Sequence, residues 1–216
     1  MTVRGRATAC SWLESGAAVL GLCGIFCLAV TTPGCDTSSH GSKAESGEDR
    51  RASAATLDEG AFRYVVDSFE FPPDLEAHGV LKTYIEGCGV IDHQPASPGR
   101  AIQAFDHVIA ACPEFAPAYM NRGIAFAMKQ RWENAEKDLD RAIELRPEYG
   151  FAYCNRGIVQ ARTGETMAAE ADLYRAAELE PAYPDIYWNR AVFRTMIGST
   201  AGAEEDLELA AKLSHP

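Results

Sequence analysis

Positive charge is scarce in this chain. Across 216 residues, 20 Lys and Arg stand against 31 Asp and Glu, a formal net charge of −11. Phosphate backbone and anionic lipid both repel such a surface, and no Lys/Arg-rich run offers a local exception, so no nucleic-acid partner is expected. Histidine is scarce too. The five (His40, His78, His93, His107 and His215) are scattered, with no HExxH pair among them. GxSxG, the Walker loop and GxGxxG are all missing, which removes the short signatures of serine hydrolases and nucleotide-binding enzymes. The acidic group Glu204, Glu205, Asp206 and Glu208 reads as the start of a helix, where carboxylates complement the dipole. No catalytic residue, cofactor or metal site is expected, and the chain reads as non-enzymatic.

Long apolar runs are also lacking, with one short exception. Ala17–Val30 (AAVLGLCGIFCLAV) is uninterrupted, but fourteen helical residues span only ~21 Å against the ~30 Å of a bilayer core. Preceded by Arg4 and Arg6, the run reads as the hydrophobic part of a secretory signal. Gly34-Cys35 follows it and resembles the lipobox of bacterial lipoproteins, with Pro33 and Thr32 where that family has a small residue and Leu. The resemblance implies lipidation at Cys35 and a protein anchored in the cell envelope, facing the periplasm. An ordinary signal peptide cleaved nearby, leaving a secreted or soluble periplasmic protein, and an uncleaved anchor remain open. Residues 36–56 have no Leu, Ile, Val or aromatic residue and read as a disordered tether.

Of seven cysteines, four lie in the first 35 residues; Cys88, Cys112 and Cys154 remain, without zinc-type spacing. A Cys88–Cys112 bridge and three buried thiols are both compatible with the sequence.

What the chain has in plenty is internal repetition. AYMNRG (118–123), AYCNRG (152–157) and IYWNRA (186–191) recur at an offset of 34 residues. The same offset carries Ala135, Ala169 and Ala203, then Leu139, Leu173 and Leu207, and it places Pro147 and Pro181 at the ends of the first two units. This pattern resembles the tetratricopeptide repeat (TPR). The resemblance implies an all-α fold, a right-handed superhelix of antiparallel helix hairpins, with three clear repeats plus one degenerate N-terminal unit. The expected divisions are a signal peptide (1–35), a tether (36–56), an N-terminal segment and cap unit (57–115), and repeats at 116–149, 150–183 and 184–216. Ser97-Pro98 opens the cap unit's second helix, and Val80, Leu81, Tyr84, Ile85, Cys88 and Ile91 have helical spacing for its first. Residues 57–71 fit either a short helix or an extended segment.

Two columns have physical consequences. Gly123 and Gly157, facing Ala135 and Ala169, let paired helices approach closely. Arg122, Arg156 and Arg190 lie sixteen residues before Asp138, Asp172 and Asp206. Antiparallel helices bring each Arg to the height of its own unit's Asp, so an ion pair within each repeat is expected.

In the TPR family the first helix of each hairpin lines a concave groove. Carried over by position, that groove comprises Met120, Ile124, Met128, Phe151, Cys154, Ile158, Arg162, Trp188, Val192 and Met196, flanked by Asn121, Asn155 and Asn189. Such an apolar, Met-rich stripe suits an adaptable partner, a helix or a peptide. The protein's own segment 57–71 is the competing occupant. The resemblance implies an interaction adaptor, a self-associating scaffold, or an accessory subunit of a secretion, pilus or cell-wall complex. Phe193, Leu209 and Leu213 should face outward in the C-terminal repeat, so a second copy of the chain, as a homodimer, or a partner's helix is expected there.

Overall fold

The computed structural model describes residues 57, 61–66, 75–76, 78–92 and 96–214. The proposed signal, Cys35 and the tether lie outside the described residues. Within the unit that spans Asp49–Pro216, the chain forms α1 (Leu81–Asp92), α2 (Pro98–Ala111), α3 (Ala116–Met128), α4 (Trp132–Leu145), α5 (Gly150–Thr163), α6 (Thr166–Leu179), α7 (Pro184–Met196) and α8 (Thr200–Ser214). No strand occurs among the described residues, and none of their helices is long and apolar enough to cross a membrane. Each odd-numbered helix packs against the even-numbered one that follows, and successive hairpins stack in chain order.

Small residues set the spacing within hairpins. A Cβ added at Gly123 would stand 3.0 Å from Leu139 Cγ and 3.1 Å from the Ala135 carbonyl oxygen; at Gly157 it would stand 2.9 Å from Leu173 Cγ. Gly87 does the same for the first pair, since its Cβ would stand 2.8 Å from Phe105. Phe105 holds the column of Leu139, Leu173 and Leu207, and all four are buried. The α1–α2 pair is thus built like the repeats that follow it. Ser97 precedes α2 with Pro98 in its first turn, but the Ser97 hydroxyl makes no capping bond.

Tyrosines seal the joints between hairpins. The hydroxyls of Tyr119, Tyr153 and Tyr187 donate to the carbonyls of Pro113, Pro147 and Pro181 at 3.0, 3.3 and 3.0 Å. Each proline ends one unit because it cannot continue a helix, and its free carbonyl becomes the acceptor that ties down the next.

The arginine column pairs as spacing predicts and reaches further. Arg156 makes two bonds to Asp172, at 2.6 and 2.9 Å, and a third to Asp140 of the preceding unit at 2.7 Å. Arg122 likewise joins Asp138 and Asp106. Arg190 pairs with Asp206, while Tyr174 holds the position of Asp106 and Asp140, and the Arg190 guanidinium lies 4.9 Å from its ring. Bonds to two carboxylates hold Arg122 and Arg156 protonated well above the ordinary guanidinium range. Burial pushes the Asp138 carboxyl up against the pull of Arg122. The arginines therefore fix the register between units as well as within them.

One expectation is corrected. Phe193 does not face outward: it is 2% exposed, inside the apolar cluster of α5–α8. Cys88 and Cys112 are both buried as thiols, one of the two states that the sequence leaves open.

Candidate functional site

The site begins with asparagine. Its side chain sets N–H donors and a carbonyl acceptor in one plane, so it can match the donor and acceptor of a peptide unit. Asn155 and Asn189 occupy equivalent places on α5 and α7, one repeat apart, and both are fully buried. Segment 61–66 lies across them. Val65 N–H donates to Asn155 Oδ1 (2.9 Å), and Asn155 Nδ2 donates back to the Val65 carbonyl (2.8 Å). Arg63 N–H donates to Asn189 Oδ1 (2.8 Å), and Asn189 Nδ2 returns the bond to the Arg63 carbonyl (2.8 Å). Trp188 Nε1 donates to the Ala61 carbonyl at 2.8 Å.

Residues 63 and 65 thus turn their backbone groups to the same wall, the period of two that marks an extended chain. The segment runs from the third repeat towards the second, opposite to the order of the repeats.

Side chains of the segment fill the groove. Leu57, Phe62 and Val65 are buried in one cluster with Cys154, Ile158, Ala161 and Val192. Arg162 stands with its guanidinium 5.9 Å from the Phe62 ring. Burial raises the Tyr64 hydroxyl above its ordinary pKa, against a smaller pull from Arg162. Arg63 stays exposed: its guanidinium lies 3.8 Å from the Trp188 ring centroid and bonds Asp185 at 2.9 Å.

The remaining residues of the expected groove are placed differently. Met120 and Ile124 are buried, and Met128 half-buried, in the cluster that also holds residues of α1 and α2. Phe151 packs between Tyr149 and Tyr183, at 6.1 and 4.8 Å between ring centroids. Met196 is 40% exposed. Asn121, the third of its column, donates to Tyr84 Oη at 3.0 Å and Cys88 Sγ at 3.3 Å, so α1 uses this rung. The next two-residue step would fall on residue 67, outside the described residues.

Cys154 is a fully buried thiol. Complete burial pushes its thiol up to about 12, outweighing the bond that Asn189 Nδ2 donates to its sulfur at 3.3 Å. No group of three or more potential metal ligands occurs among the described residues.

The second carboxylates, Asp106 and Asp140, are what sequence reasoning missed. They had a signal, a spacing of sixteen residues before Arg122 and Arg156.

Residues 116–149 match the model of the tetratricopeptide repeat family, and the 34-residue period carries the same hairpin onward. A crystal structure of MamA is similar to this chain at 23% identity and TM-score 0.52, covering 65% of this chain and 82% of that one. A second MamA crystal structure gives 23% identity and TM-score 0.51, covering 65% and 76%. A MamA RS-1 ArsTM double mutant gives 16% and 0.51, covering 63% and 76%. These likenesses show the fold, an all-α TPR superhelix. No curated protein matches the chain.

Proposed function

We propose that this TPR domain is a non-enzymatic adaptor of the bacterial cell envelope that receives an extended segment of a partner protein in its concave groove. The observation that carries the reading is the paired bonding of Asn155 and Asn189 to the backbone of residues 65 and 63. Those four bonds touch only groups that any non-proline residue has. An extended chain satisfies them; a helix does not, because its N–H and C=O groups are already spent internally. Of the two ligand shapes considered, helix and peptide, the ladder fits the peptide.

The envelope part of the proposal rests on sequence: the apolar run before Gly34-Cys35 and the polar stretch 36–56. A lipid on Cys35 would hold the domain at a membrane, facing the periplasm, where it would serve a larger assembly such as a secretion, pilus or cell-wall complex.

A photo-crosslinking residue at Arg162, beside Phe62, tests the groove in cells. It is expected to trap a partner whose product disappears in Asn155→Ala and Asn189→Ala. A product unchanged by both substitutions removes the reading.

One observation favours a second reading, self-association through the last hairpin. Met196, Ile197 and Leu209 are 40%, 44% and 36% exposed there. Sedimentation with and without Leu209→Glu separates the two: a dimer lost on substitution supports the scaffold, and an unaltered monomer removes it.

A further inference from the structure

The asparagine ladder has no means of choosing a register. Bonds to backbone alone are satisfied equally if the bound chain slips by two residues, since the same groups return to the same side. Something must fix which residue lies on which rung. We propose that Trp188 and Asp185 form a cation-reading subsite that sets this register, and that the groove's partner is an extended segment carrying Arg or Lys two residues before a β-branched residue. The proposal rests on the reading that the groove takes extended partner segments.

The subsite is displayed by the protein's own segment. Asp185 lies in the first turn of α7 and Trp188 three residues later, a spacing that puts both on one face. The Arg63 guanidinium lies 3.8 Å from the indole centroid, while its Nη1 meets the Asp185 carboxylate at 2.9 Å. The indole is itself held in place by its bond to the Ala61 carbonyl, and the neighbouring Asn189 holds the Arg63 backbone. Side chain and backbone of one ligand residue are therefore read together. Two residues on, Val65 is 3% exposed in the apolar cluster of Cys154 and Ile158, a narrow seat that suits a branched side chain. Arg63 and Asp185 keep contact with water, at 52% and 36% side-chain exposure. A cation can thus enter or leave without the cost of full desolvation. An anionic residue in place of Arg63 would face the negative edge of the carboxylate and lose the attraction of the indole face.

Because segment 61–66 is covalently attached, it competes with any partner at a high effective concentration. The test therefore weakens it. The full chain carrying Phe62→Ser and Val65→Ser is titrated against a fluorescent synthetic peptide of residues 57–66 (LDEGAFRYVV), followed by anisotropy, and against the same peptide with Arg63→Glu. The native peptide is expected to bind, and the Glu peptide to bind on the order of tenfold more weakly. Adding Asp185→Lys to the chain should narrow that gap. Equal binding of the two peptides overturns the subsite and leaves the groove reading standing. No binding of either peptide to a chain with native helical circular dichroism overturns the groove reading itself.

Should the doubly substituted chain fail to fold, Asp185→Lys alone is examined by hydrogen exchange. Amides 63 and 65 are expected to exchange several-fold faster than in the unsubstituted chain, with the helices unaffected. Unchanged rates there overturn the subsite.

Discussion

Asn155 and Val65, ninety residues apart in sequence, each donate one hydrogen bond to the other. The amide of Asn155 is fully buried and makes both of these bonds to a segment that precedes the repeats. A groove that looks in sequence like an open apolar stripe is therefore lined along part of its length by the protein's own chain.

The arginine column should show unequal partners. Asp172 has 9% of its side chain exposed and Asp140 has 49%, yet both bond Arg156. Asp172→Ala leaves a largely buried guanidinium without its bidentate partner and is expected to cost about 2–4 kcal/mol. Asp140→Ala removes a well-hydrated ion pair and is expected to cost under about 1 kcal/mol. Urea denaturation of both variants checks this. Equal midpoints would contradict the placement.

Gln130, Gly164 and Gly198 occupy equivalent turns one repeat apart, with φ of +57°, +88° and +81°. Only Gln130 bears a side chain in the left-handed region, which costs ~1–2 kcal/mol. Gln130→Gly recovers this less the extra entropy of glycine, a net gain of up to about 1 kcal/mol or ~2–4 °C in Tm. Gly164→Ala should lower Tm, although a Cβ there meets nothing within 4 Å. A fall in Tm for Gln130→Gly would contradict the reading.

The extent to which this structure is legible in the sequence follows from where its contacts lie. Tyr119, Gly123, Arg122, Asp138 and Leu139 repeat at a fixed offset, and their partners sit within one or two helices. The hairpins and the Arg–Asp pairs are therefore readable from spacing alone. The docking of 61–66 is not, because its bonds span 90 to 127 residues and go through backbone groups that leave no trace in residue identity. Segment 57–71 fits a short helix or an extended segment by pattern; its described residues 62–66 run extended along Asn155 and Asn189, whose column repeats without saying what it binds. Phe193 misleads for a related reason. Its place in the repeat suggests an outer face, but the cluster that includes Ala203 and Leu207 closes around it.

Cys154 makes stability depend on alkaline pH. Its folded pKa is raised from an ordinary 9.0 to about 12 by burial. A raised folded value means the contribution is present below the unfolded pKa and lost as pH rises towards the folded one. Stability is thus expected to fall between pH 9 and 12, and Cys154→Ala should flatten that fall relative to the parent. Parallel pH profiles for the two chains would show that the thiol is not buried as described.

The proposed lipid anchor at Cys35 predicts that Cys35→Ser abolishes labelling by an alkyne-bearing fatty acid and moves the protein to the soluble fraction. A variant that still fractionates with membranes would rule out the lipid anchor.

The most direct measurement is residue-resolved hydrogen exchange of amides 63 and 65 in the full chain, with Asn155→Ala compared against Asn121→Ala. Asn155 holds Val65, whereas Asn121 bonds Tyr84 and Cys88 on α1. Losing both bonds to a buried backbone unit costs ~1–3 kcal/mol, so Asn155→Ala should speed exchange at residue 65 by one to two orders of magnitude. Asn121→Ala should loosen α1 and leave residues 63 and 65 protected. Equal, rapid exchange at both amides in the parent chain would contradict the occupied groove.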